Sequence, residues 1–370
     1  MTSQPIPFAR LTREFASLLL AIVAFFTIST VRAADGDIRV NAGGSTFIAP
    51  FMRQCEVAYH KDHSGIKIDY QSIGSKGGVN GLIAKDFDFG ATDVPLDKAQ
   101  LKELGDEVVQ IPIIAGAVVV AYNLPDIKGE LRLSGPTTAE IYLNRITNWN
   151  DAKIAELNPD MKLPDLRIVP VHRTDGSGTN YFFTKYLSNV SDDFQRLIGS
   201  GTQVEWLEGM GSKGGEGILG PVRTIKGAIG YVEYIHARQN DVPFAVIRNR
   251  EGKWVHASPK GATAALEACL PQLEKGRNAT LSAWDAPEDD SYPITGLSLI
   301  IVRRDLGYLK DRAKAGALIE FLKWATTDGQ KLAVDLDYGT LGAGLQNEVA
   351  KLLHTITYYG KPILSVEPKK

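Results

Sequence analysis

The sequence predicts an α/β protein of about two domains. Strand-like and helix-like segments alternate along the chain. With 370 residues at 44% hydrophobic, the chain is long enough for roughly two ordinary cores. The 36 glycines exceed average usage, and several sit where strands hand over to helices. With 23% charged residues, the composition excludes a disordered tail, a coiled coil and a collagen.

Met1 to Ala33 reads as a secretory leader. Arg10 and Arg13 precede an uncharged run from Phe15 to Val31 with its apolar heart at Leu18 to Phe26, and Val31-Arg32-Ala33 offers a cleavage site. The strongly apolar stretch is shorter than the roughly 20 residues that span a bilayer, which favours cleavage over anchoring. The leader carries three arginines against one glutamate, so its loss takes the formal net charge from −2 to −4. An acidic exported chain lacks the basic face that nucleic acid requires. Cys55 and Cys269 are the two cysteines; an oxidising compartment permits a disulfide between them, and two separate buried thiols remain the alternative.

The elements follow in order. Strands are predicted at Ile38 to Val40, Ile66 to Tyr70, Phe87 to Ala91 and Val108 to Ile114. The valine-rich run Ala117 to Tyr122 reads as a strand buried on both faces, as do Ala228 to Tyr234 and Leu297 to Val302. Helical spacing marks Phe51 to His60, Val79 to Ala84, Thr138 to Leu143, Tyr181 to Leu187, Thr263 to Leu270 and Lys314 to Thr326. Asn278 to Pro293 reads as an exposed connection.

One pattern recurs at strand-to-helix junctions: Gly43-Gly44-Ser45-Thr46-Phe47, then Gly74-Ser75-Lys76-Gly77-Gly78, then Asp175-Gly176-Ser177-Gly178-Thr179. A helix start leaves N–H groups unpaired at the positive end of its dipole, and a hydroxyl adds a donor, so such a junction suits an anion. Each hydroxyl alone reads more readily as a helix cap; three together point to a ligand. Arg173 precedes the third junction and suits two-pronged capture of an oxyanion, with Asp175 placed to orient it. Asp93 ends a strand, where α/β ligand sites lie. An ionised Asp only accepts hydrogen bonds, so beside an anion it fits one that still carries a proton. Phosphate qualifies and sulfate does not.

Other signals are weak. Gly209 to Gly214 matches G-x-G-x-x-G but is followed by more glycine and reads as a loop. His60 and His63 read as a polar helix end, with no third metal ligand at suitable spacing, and His172 as a neighbour at a strand end. No nucleophile elbow and no phosphate-binding lysine loop is present, so a phosphate-ester hydrolase remains only an alternative, as does a non-transport sensor or adhesin.

Taken in order, these segments resemble the periplasmic phosphate-binding proteins of the high-affinity phosphate ABC transporter. The similarity rests on Gly44 to Phe47 with Pro50, Gly74-Ser75 before Gly77-Gly78, Asp88 to Asp93, Ile146 to Asp151, Gly227 to Tyr231 and, most specifically, Arg173 to Thr179. The resemblance implies a two-lobed, type II periplasmic-binding-protein clamshell with the ligand cleft between the lobes. Lobe one would be residues 34–117 with 233–370, and lobe two residues 118–232. It implies phosphate contacts from Thr46, Phe47, Ser75, Asp93, Arg173, Ser177, Gly178 and Thr179, with Asp175 in support. It also implies no catalysis, cofactor or metal, a monomer in the periplasm, and permease subunits of the inner membrane as partners. Lys76 departs from the small hydroxyl residue of many relatives; it would add positive potential at the cleft mouth or point to solvent.

Overall fold

The computed structural model describes residues 37–105, 107–267 and 292–364. The leader, Cys269 and most of the Asn278 to Pro293 connection lie outside them. The strands are β1 (Ile38–Gly44), β2 (Ile66–Ser72), β3 (Phe89–Thr92), β4 (Val108–Tyr122), β5 (Arg132–Leu133), β6 (Val169–Arg173), β7 (Met210–Ser212), β8 (Ala228–Glu233), β9 (Val246–Arg248), β10 (Trp254–Val255) and β11 (Thr295–Arg303). The helices that position the site are α1 (Ala49–Asp62), α2 (Ser75–Ala84), α3 (Gly178–Val190), α4 (Gly214–Thr224), α5 (Tyr234–Gln239) and α6 (Arg312–Ala325).

Eight strands form one mixed sheet in the order β2-β1-β3-β11-β4-β8-β6-β7, and β5, β9 and β10 form a small second one. β1 pairs in parallel with β2 and β3, and β6 in parallel with β7 and β8. Between these parallel groups run two antiparallel strands, β11 and β4.

β4 corrects the expectation of two strands. Val108 to Tyr122 is one strand of 15 residues, every one of them buried. Its first part pairs with β11 as far as Ala117, and its last part pairs with β8 from Val118. The break expected at Ala115-Gly116 is a packing feature: a Cβ at Gly116 would stand 2.7 Å from the Phe47 ring. Phe47 is fully buried there, its ring 5.9 Å from Tyr338 and 6.1 Å from Phe182. Burying a side chain of this size is worth roughly 1.5–3 kcal/mol. The pairing of β11 with β4 is also irregular, slipping by one residue between Ser298 and Leu299, opposite Pro112. Proline cannot donate to a ladder and favours such a place.

The Gly209 to Gly214 segment also differs from the expected loop. It forms β7 and then enters α4 at Gly214. The helix holds despite its glycines and Pro221 because Ile218, Leu219 and Val222 bury one face against the sheet. The segments Ile146 to Asp151 and Gly227 to Tyr231 meet: fully buried Trp149 donates its indole N–H to Gly227 O at 3.0 Å. Asp151 then caps the helix that follows, accepting from Lys153 N at 2.9 Å.

Candidate functional site

The site forms where the ends of β1, β3 and β6 meet the starts of α2 and α3. Asp93, one residue past β3, has 2% of its surface exposed. Three hydroxyls surround its carboxylate: Ser45 at 2.6 and 2.7 Å, Ser75 at 2.9 Å and Ser298 at 2.6 Å. The Asp93 carboxyl is raised to about 6: burial and the Glu233 charge push it up, and the three hydroxyls pull it partly back. Across from it stands the start of α3. A Cβ at Gly178 would overlap the Asp93 carboxyl, so only glycine allows the helix this close.

Arg173 ends β6 and is 2% exposed. Its guanidinium is oriented by Asp175, as expected, but the two-pronged bond expected with an oxyanion is made with that carboxylate instead, Nε to Oδ1 at 2.7 Å and Nη2 to Oδ2 at 2.6 Å. Nη2 also reaches Thr46 Oγ1 at 3.3 Å. The third nitrogen, Nη1, is buried and has no hydrogen-bond partner among the described residues. The start of α4 steadies the pair, since Gly214 N donates to Asp175 Oδ1 at 3.2 Å. Burial would raise the Asp175 carboxyl, but Arg173 and that N–H hold it below the usual carboxylate range.

The structure therefore gathers the residues singled out by sequence, and it shows how each is engaged. Ser75 touches Asp93, Thr46 touches Arg173, and Lys76 N donates to Gly176 O at 3.2 Å, joining the second junction to the third. Ser177 caps α3, its Oγ accepting from Asn180 N at 3.1 Å. Phe47 N–H donates to Ser45 Oγ at 3.1 Å. The Thr179 hydroxyl donates to Glu233 Oε1 at 2.7 Å. The Lys76 side chain is exposed; with Ser75, Asp97 and Tyr181 it lines a cavity of about 300 Å³.

Three participants escaped the sequence reading: Ser298, which holds Asp93, and Glu233 and His236, which lie behind Thr179; Ser45, also on Asp93, stood in the first junction but not among the expected contacts. Glu233 is fully buried and accepts from or pairs with His236 Nδ1 at 2.9 Å. Burial alone would raise its carboxyl; His236, Arg173 and the Thr179 hydroxyl instead hold it at about 2. His236 shifts the other way: burial opposes its charge, but Glu233 raises it above the usual imidazole value. The only sequence cue for Glu233 was a lone charge closing an apolar strand.

Two other histidines pack on aromatic rings. His172 stacks on Trp206 with ring centroids 5.2 Å apart, and His63 on Tyr59 at 4.0 Å. Among the described residues no cluster of three or more potential metal ligands occurs. No helix among them is long and apolar enough to cross a membrane. Cys55 is fully buried in the core, with its thiol pushed up by desolvation.

Residues 30–329 match the family model of the PBP superfamily domain. The phosphate-binding protein PstS of Xylella fastidiosa is 39% identical over 313 residues, covering 84% of each chain. This chain belongs to the PstS family of phosphate-binding proteins. The PstS of Haemophilus influenzae is 37% identical over 87% of this chain and 94% of its own. The fold is the two-lobed periplasmic-binding-protein fold. It is similar to that of a high-affinity periplasmic phosphate-binding protein known as PfluDING, with a TM-score of 0.68 at 16% identity over 85% of this chain and 92% of that one. A phosphate-binding protein of Stenotrophomonas maltophilia superposes with a TM-score of 0.63 at 17% identity, over 85% and 93%.

Proposed function

We propose that this chain captures inorganic phosphate in the periplasm and delivers it, chemically unchanged, to an ABC permease for import. One observation carries the reading: a buried guanidinium with an unspent donor, Arg173 Nη1, shares a site with a buried carboxylate, Asp93. The guanidinium and the serine hydroxyls supply donors for an anion. The carboxylate supplies an acceptor, and it is favourable only toward an anion that retains a hydrogen. Phosphate near neutral pH retains at least one; sulfate has none. The membership in the PstS family supports the same ligand and a permease as partner.

Binding without chemistry fits the hydroxyls. Ser177 Oγ accepts from a backbone N–H, and Thr179 donates straight to Glu233, with His236 behind the carboxylate. A nucleophile needs a base beside it to take its proton; Ser177 has none among its hydrogen-bond partners, and Glu233 beside Thr179, held at about 2, is too weak a base for an alcohol. We read Thr46, Phe47, Ser75, Asp93, Arg173, Ser177, Gly178 and Thr179 as the ligand shell and Asp175 as the support of Arg173. We read residues 34–117 with 233–370 as lobe one and residues 118–232 as lobe two, a division suggested by the way β4 pairs first with β11 and then with β8. Contacts across that division, such as Lys76 to Gly176 and Thr46 to Arg173, exist in a closed cleft, so ligand that adds contacts to both sides favours closure. We read the protein as a monomer whose leader is removed on export.

The test is calorimetric titration of the ligand-stripped mature protein, with phosphate and then with sulfate. Phosphate should bind tightly at one site per chain and sulfate should give no heat at neutral pH. A chain that ignores phosphate, or takes both anions equally, defeats the reading.

A further inference from the structure

β11 carries a residue that packing does not explain. Its sequence, Thr-Gly-Leu-Ser-Leu-Ile-Ile-Val-Arg, is apolar around Ser298, which is fully buried. A hydroxyl buried without a partner costs stability, and an alanine would fill the same space. Ser298 instead donates to Asp93 Oδ1 at 2.6 Å, across 205 positions of sequence. The register explains the meeting. β11 runs antiparallel to β3 with Leu299 opposite Thr92, which sets Ser298 beside Asp93. On its other side β11 slips by one residue against β4 at this same point, between Ser298 and Leu299. Such irregularities re-aim side chains beside functional sites.

We propose that Ser298 is a specificity-determining residue of the phosphate site: its hydroxyl holds Asp93 as a hydrogen-bond acceptor and thereby keeps out tetrahedral anions that carry no hydrogen. The inference rests on the phosphate reading above. The groups facing Asp93 are the hydroxyls of Ser45, Ser75 and Ser298 and the start of α3 at Gly178. The charge of Glu233 and the phenols of Tyr70 and Tyr338 lie close enough to interact with it. Ser45 also accepts from Phe47 N and Ile48 N, and Ser75 also accepts from Asp93 N, so both are tied into local turns. Ser298 brings only its donated bond. Burial and Glu233 favour the protonated carboxyl, and the hydroxyls favour the ionised one. Removing Ser298 tips that balance. A protonated Asp93 is itself a donor, and sulfate then meets a favourable partner.

The experiment measures phosphate and sulfate affinity by calorimetry between pH 5 and 8.5 for the wild type, Ser298→Ala, Ser298→Thr and Ser298→Cys. In the wild type, sulfate binding should emerge only as the solution becomes acidic enough to protonate Asp93. Ser298→Ala should move that onset upward by about one pH unit, as loss of one hydrogen bond to a carboxylate implies. Threonine should restore the wild-type onset, and cysteine, a weak donor, should fall between. Cysteine and threonine keep the test decisive if the alanine variant folds poorly. Phosphate binding by the wild type with identical sulfate profiles in all folded variants overturns the role of Ser298 and leaves the site intact. A wild type that binds no phosphate overturns both.

Discussion

Asp93 and Glu233 are equally buried carboxylates, at 2% and 0% exposure, and their surroundings drive them in opposite directions. Asp93 meets hydroxyls and is raised to about 6; Glu233 meets His236 and the field of Arg173 and is lowered to about 2. Burial therefore does not decide the charge of a carboxyl; the countercharge does. Hydroxyls repay only part of the desolvation, whereas a buried cation repays it in full. The sign for stability follows. Glu233 lies below its unfolded value of about 4.3, so its contribution is complete above that pH and is lost as pH falls toward 2. Asp93 lies above its unfolded value of about 3.9, so its favourable contribution belongs to the protonated form and is lost as pH rises through 6. At neutral pH the ligand-free protein thus holds Asp93 ionised at a cost on the order of 2–3 kcal/mol. An anion that brings its own hydrogen to this carboxylate relieves that cost, which places the penalty where it aids selection.

The largest expected effect comes from removing the buried cation of the site, whose field reaches Glu233. Arg173→Ala should weaken phosphate binding by more than about 100-fold, since stripping a buried anion of its partner costs about 3–5 kcal/mol and each 1.4 is a factor of ten. Titration calorimetry reads this directly, and an unchanged Kd would move the site elsewhere. Next, Glu233→Gln should lower the unfolding free energy near pH 6 by about 3 kcal/mol, because His236 is left a buried cation without a countercharge. Urea denaturation of ligand-free protein measures it. The smallest effect has the opposite sign. Asp93→Asn should raise the stability of ligand-free protein at pH 8 by about 1–2 kcal/mol, with no gain at pH 4, while weakening phosphate and admitting sulfate. If both substitutions destabilise alike, the contrast between the two carboxylates fails.

The legible part of the site was local in sequence. Arg173, Asp175, Ser177 and Thr179 announce themselves because seven consecutive residues carry an ion pair, a cap and a helix start. Asp93 was legible as a carboxylate at a strand end. Its partner Ser298 was not, because a hydroxyl on β11 finds its acceptor only once β11 inserts beside β3. Glu233 escaped for a related reason: a glutamate closing an apolar strand looks solvated until α5 folds His236 back onto it at 2.9 Å. The alternation of elements was readable from periodicity, yet α4 was missed because propensity speaks against Gly214, Gly215 and Pro221, and tertiary packing of Ile218 and Val222 overrides it.

β4 has one more consequence. Because the strand gives its first residues to β11 and its last to β8, the backbone itself joins the two pairing partners with no loop between. Neither portion can be produced by itself without leaving a row of bare amides and carbonyls along the orphaned neighbour. An engineer wishing to divide this molecule, or to splice a reporter into it, should therefore leave residues 108–122 untouched and cut in a surface connection instead.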